Sequence, residues 1–97
     1  MALFKIIKDV NGVPLTYHRI NDIRHVTNDK TYIDIVSYIT KEDREKEQNQ
    51  PKYSPNREEI YKTPSIEVMD YNSDLSIDEA YEYLKTLPRF EGAEDIW

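Results

Sequence analysis

Only one stretch of this chain spaces its apolar residues at a helical period, and that limits the possible folds more than any other feature. Ile77, Ala80, Tyr81, Leu84 and Leu87 recur three or four residues apart, giving a single apolar stripe able to lie on a sheet. The start of the helix is equally legible. Ser76-Ile77-Asp78-Glu79 matches a capping box, in which the Ser oxygen takes a backbone N–H and the Glu reaches back to the cap residue, and Leu75 stands where a hydrophobic staple to Ala80 begins. Pro88 ends the run. The spacing predicts one C-terminal amphipathic helix over 76–87, with Asp78, Glu79 and Glu82 facing water.

Most of the remainder reads as strand. Leu3 to Lys8 is extended, and Asp9-Val10-Asn11-Gly12 after it is a turn signal, because Asn and Gly tolerate the positive φ of tight hairpins. Val13, Leu15 and Tyr17 alternate with Pro14, Thr16 and His18, and this second strand runs to about Val26. Its alternation slips. Ile20 and Ile23 are an odd number of residues apart and cannot share a face without an extra residue, so an irregularity is expected near Asn21 and Asp22. Thr27-Asn28-Asp29-Lys30 is a second turn, and Thr31 to Thr40 is the strongest strand of the chain, rich in β-branched and aromatic residues. Ile33, Ile35, Ser37 and Ile39 are expected on its core face, with Tyr32, Asp34, Val36 and Tyr38 opposite.

Lys41 to Gln50 has good helix formers and a capping Thr40 but no apolar stripe, so either a short solvated helix or a disordered loop fits it. With Pro51 and Pro55 following, residues 41–59 form a charged excursion from the sheet. Ile60 to Tyr71 returns to extended character. Ile66 and Val68 fall opposite Glu67 and Met69, and Pro64 confines the segment to an edge or an interrupted strand. These elements predict the α+β class: a small antiparallel sheet of about four strands with one C-terminal amphipathic helix packed on one face. A single domain over 1–97 is expected: strands in 1–40, the excursion in 41–59, a strand in 60–71, the helix in 76–87 and a tail in 88–97.

Composition removes several classes of function. A chain of 97 residues with 38% hydrophobic content supports one modest core. Cysteine is absent, which excludes disulfide staples, thiolate zinc sites and cysteine nucleophiles. A net charge of −6 and a pI near 4.8 argue against binding a phosphate backbone, since nucleic-acid affinity comes mainly from clustered Lys and Arg. No apolar run approaches the ~20 residues that span a bilayer, and Met1 to Lys8 lacks the long apolar stretch of a signal peptide. An intracellular chain with neither nucleic acid nor membrane as partner is the expectation.

Catalytic handles are equally scarce. His18 and His25, seven apart on a regular strand, point to opposite faces unless a bulge realigns them, and no third ligand accompanies them. The carboxylate pairs Asp78/Glu79, Glu94/Asp95 and Glu58/Glu59 lack the apolar surround that perturbs a pKa. Ser37, Ser54, Ser65, Ser73 and Ser76 have no G-x-S-x-G context, and with only Gly12 and Gly92 no phosphate-cradling loop can be built. No catalytic residue, cofactor, metal or small-molecule substrate is expected.

The C-terminal quarter is different. Asp74 to Trp97 holds seven acidic and two basic side chains, and so about five of the six net negative charges. Its final ten residues carry Phe90, Ile96 and Trp97, aromatic and aliphatic groups framed by polar ones, as in partner recognition. Either this tail folds back on its own domain or it inserts into a neighbour. On the second reading Phe90, Ile96 and Trp97 are the partner-binding residues.

A resemblance gives these pieces a setting. The lysine-rich first strand, Thr16-Tyr17-His18-Arg19-Ile20, Ile35-Val36-Ser37-Tyr38 running into a charged stretch with Arg44, Ala80-Tyr81, Leu84-Lys85 and Phe90-Glu91-Gly92-Ala93-Glu94-Asp95-Ile96 together resemble small tail-module proteins of phages and prophages of Gram-positive bacteria. The resemblance implies a non-enzymatic structural or assembly component of a phage tail or baseplate, present in the virion and in the host cytoplasm during assembly. Its partners would be other tail proteins or further copies of itself, repeated about a symmetry axis. The resemblance brings no catalytic or ligand residue with it, and the Pro51 to Pro64 stretch has no counterpart. A second reading is a mobile-element inhibitor or adaptor whose acidic surface imitates a nucleic-acid backbone and binds a host protein.

Overall fold

The computed structural model describes residues 1–50 and 59–96. In chain order the elements are β1 (Ala2–Lys8), β2 (Pro14–His25), β3 (Lys30–Tyr38), α1 (Lys41–Asn49), β4 (Lys62–Asp70), α2 (Ile77–Lys85), a 3-10 turn (Pro88–Phe90) and β5 (Glu94–Ile96). The strands form one sheet in the order β4-β3-β2-β1-β5, and every pairing is antiparallel. The α+β class holds. The count does not: the described residues form five strands and two α-helices rather than about four strands and one C-terminal helix.

Local chemistry explains the hairpins. Between β1 and β2 the Asp9 carboxylate accepts from Asn11 N and Val13 N, each at 2.9 Å, and Gly12 takes φ 77°, which a side chain would resist. Between β2 and β3, Asp29 N donates to Val26 O, and Asn28 supplies φ 60° at the position where such a turn needs it.

The slipped alternation of β2 is a bulge. Ile20 pairs with Ile35 and Asp22 with Asp34, so Asn21 is one residue too many for β3. Ile20 and Ile23 thereby face the same side as Ile35 and Ile33, as their spacing required.

One side of the sheet holds the core. Leu3, Ile20, Ile33, Ile35, Ala80, Tyr81, Leu84 and Phe90 form its buried cluster, with α2 laid across the strands. The Ser76–Glu79 capping box is complete, and Leu75 packs at the core margin. Helix α2 ends at Lys85 with Thr86 as its cap, two residues before the sequence reading, although Leu87 still packs on the core. Ile77, the first member of the stripe, is exposed. Tyr81 ties helix to sheet: its hydroxyl accepts from Ile20 N and donates to Met1 O, both at 2.8 Å.

Helix α1 buries no residue and attaches by polar contacts. The Thr40 hydroxyl caps it by accepting from Asp43 N. Glu47 then accepts from Tyr38 Oη and Arg44 at Oε1 and from Lys62 Nζ at Oε2, all at 2.8 Å. Tyr38, assigned by alternation to the outward face, is fully buried there, beside Tyr17 and the guanidinium groups of Arg19 and Arg44. β5 escaped the sequence reading because three residues, two of them acidic, show no strand pattern. It exists by pairing with Ala2, Leu3 and Phe4 of β1, and the Lys85–Asp95 ion pair holds it to α2.

Candidate functional site

The three residues expected to bind a partner have three different positions. Phe90 is 1% exposed and lies in the core, its ring edge-on to His18 at 5.3 Å, with the Arg89 guanidinium 4.5 Å above it. The expectation of Phe90 as a docking anchor is therefore corrected. Pro88 fixes a tight turn after α2, closed by Phe90 N donating to Leu87 O and Ala93 N to Phe90 O, which returns the ring beneath the helix. Ile96 is half-buried in β5, opposite Ala2. Trp97 lies outside the described residues.

Ile96 borders a groove of about 640 Å³ shared with Phe4, Tyr17, Thr40 and Lys41. It lies on the sheet face opposite α2, because Phe4 pairs with Tyr17, and Tyr17 with Tyr38, on that side. Further along the same face, Tyr32 and Val36 of β3 stand beside Val68 and Pro64 of β4. Here the edge strand is inverted relative to ordinary amphipathic order. Ile66 and Val68 face outward, 53% and 47% exposed, while Ser65 and Glu67 face α2 beside Ile35 and Ile33. Arg89 makes this tenable: its Nη2 donates to Ser65 Oγ and pairs with Glu67 Oε1, both at 3.2 Å.

Below α2 at the other end is a cavity of about 310 Å³ lined by Leu15, His18, Ser37, Thr63, Arg89 and Phe90, among others. Here Asp9 in the first hairpin reaches the hydroxyls of Tyr61 and Thr63. The Tyr61 contact is the main cause holding the exposed Asp9 carboxyl below its ordinary value. His18 is 2% exposed. Its Nε2 donates to Lys5 O at 2.8 Å, so the neutral ring accepts at Nδ1 from Ser37 Oγ at 2.7 Å. Ser37 and His18 thus have the spacing of a nucleophile and its base, a juxtaposition that sequence separation hid. Both imidazole nitrogens are committed to holding β1, β2 and β3 together. Burial pushes His18 below its ordinary pKa, and the nearby Arg89 charge adds to this.

The Asn21 bulge brings His18 and His25 onto one face, where they pair with Ser37 and Thr31 at opposite ends of β3. His25 Nδ1 lies 3.2 Å from Thr31 Oγ1. Among the described residues no group of three or more His, Cys, Asp or Glu is placed to hold a metal ion, and no helix is long and apolar enough to cross a membrane. At Glu47, burial pushes the pKa up but is outweighed by Lys62, Tyr38 and Arg44, which hold the carboxyl below its ordinary value. Among the described residues, no carboxyl group with a resolved shift is raised toward neutrality, the property a general acid needs.

Comparison with protein-family models, curated proteins and solved structures found no match.

Proposed function

We propose that this chain is a non-enzymatic structural or assembly component that works through protein–protein contacts, in the setting of a phage tail or baseplate. The sheet face opposite α2 carries this reading. Helix α1 covers Tyr38 there, leaving Ile66 and Val68 53% and 47% exposed on β4 and Phe4 41% exposed on β1, beside a groove bordered by Ile96. Apolar side chains gathered on one face, framed by Arg24, Asp34 and Lys62, have the composition of a recognition surface. The tail-module resemblance supplies the virion setting. An acidic-mimic inhibitor is less well supported, because Lys85 pairs with both Glu82 and Asp95 and Arg89 with Glu67, which neutralises part of the acidic surface.

Purified tail particles analysed by mass spectrometry should contain the chain in stoichiometric amount. Particles that lack it, together with a purified chain that binds no tail protein, would overturn the proposal. A basic host protein captured from lysate and released by moderate salt would favour the inhibitor instead.

A further inference from the structure

Strand β4 closes one side of the sheet, and its outer edge is unpaired among the described residues. Pro64 has no N–H to give β3, so its nitrogen side faces outward. Because backbone direction alternates along a strand, Lys62, Pro64, Ile66, Val68 and Asp70 all turn their free backbone groups outward. The same residues have their side chains on the open face. This edge therefore couples unpaired hydrogen-bonding groups to the exposed apolar pair Ile66 and Val68, the combination that invites another strand.

Its charge pattern selects the partner. An antiparallel copy of β4 centred on Ile66 sets Ile66 against Ile66, Val68 against Pro64, and Lys62 against Asp70. Moving the register by two residues in one direction places Asp70 against Pro64, and in the other places Lys62 against Val68, so either shift loses both charge pairs. Within one chain Lys62 already meets Glu47 and Asp70 meets Lys30. Pairing would join these into Glu47–Lys62–Asp70–Lys30 series of alternating sign, once at each end. Only the hydrogen bond that Pro64 cannot donate is lost from each copy.

We propose that β4 is a self-pairing edge, through which two copies of this chain join antiparallel about a two-fold axis at Ile66 to form one continuous sheet. The proposal rests on the assembly reading and names a second copy of this chain as the occupant of that edge. Two such strands form an interface smaller than those of permanent dimers, so association is weak and concentration-dependent, and repetition within a larger assembly would strengthen it.

The absence of cysteine makes the register directly testable. In the paired form the two Ile66 Cα atoms lie about 5.5 Å apart, within disulfide range, whereas the two Val68 Cα atoms lie more than about 13 Å apart. Ile66→Cys should cross-link to itself under mild oxidation on the order of tenfold faster than Val68→Cys. Sedimentation of the wild-type chain should show dimer growing with concentration, and Ile66→Lys should abolish it while circular dichroism shows the fold retained. Equal cross-linking of the two cysteine variants, or a wild-type chain monomeric at about 0.5 mM, overturns the self-pairing. A monomeric chain still found in tail particles would sink the self-pairing and leave the assembly role standing. A dimeric chain absent from particles would do the reverse.

Discussion

The hydroxyl of Tyr81 is the smallest group whose removal should be widely felt. Ile20 N meets the tyrosine oxygen at 2.8 Å, and that hydroxyl bridges it to Met1, next to the start of β1. Tyr81→Phe keeps the ring and its apolar contacts but leaves that buried N–H without a partner, which costs about 1–3 kcal/mol. The bond donated to Met1 O is lost as well and adds about 0.5–1 kcal/mol. A total of about 2–3 kcal/mol is expected, equivalent to a fall in Tm of about 10–20 °C for a domain of this size. Urea unfolding followed by far-ultraviolet circular dichroism should show a lower midpoint with an unchanged slope. Tyr83→Phe is the control, since Tyr83 is half-buried and its hydroxyl makes no hydrogen bond among the described residues. A Tyr81→Phe loss below about 0.5 kcal/mol, or one equal to that of Tyr83→Phe, would refute the assignment of this hydroxyl as the bridge between Ile20 N and Met1 O.

Phe90→Ala should destabilise the domain by about 3–5 kcal/mol, measured by chemical denaturation, whereas a surface docking residue would leave stability nearly unchanged. Glu47→Ala removes the acceptor shared by Tyr38, Arg44 and Lys62. Amide exchange should accelerate across Lys41–Asn49 on the order of tenfold while β2 and β3 keep their protection, and equal loss in all three elements would contradict a local tether. His18 sets an acid limit. Burial depresses its folded-state pKa below 6.5, so the unfolded chain takes up the proton first as pH falls. Its contribution is intact at neutral pH and declines below about 6.5; nuclear magnetic resonance titration should place the His18 midpoint lower in the folded than in the unfolded chain, and a midpoint at or above the unfolded one contradicts the assignment.

Much of the sheet was legible because its signals are local. The Asp9–Gly12 turn, the Ser76–Glu79 capping box and the Ile33–Ile35–Ser37 core face each depend on residues within a few positions of one another. The Asn21 irregularity followed from parity alone. What escaped depended on contacts distant in sequence. Tyr38 alternates with outward residues, yet it is buried because α1 returns Glu47 and Arg44 to its hydroxyl and ring. Phe90 has the profile of an exposed anchor until the turn at Pro88 carries it under α2. The outward placement of Ile66 and Val68 could not be read from β4, because the reason Glu67 can face inward is Arg89, 22 positions later. Of the candidate site, the exposed pair on β4 reads in the sequence only as one face of a strand.

The bulge in β2 gives position 21 an unusual status. Asn21 is exposed and has no partner on β3, so its side chain can be exchanged at small cost. Deleting the residue would restore perfect alternation and leave Ile20 and Ile23 two residues apart, so both would still face Ile35 and Ile33 on the core side. The strand is in effect read in two frames joined at a single residue. Substitutions at position 21 should be nearly silent and a deletion there should keep both isoleucines in the core, while a one-residue deletion elsewhere in β2 should act like a frameshift within the folded protein.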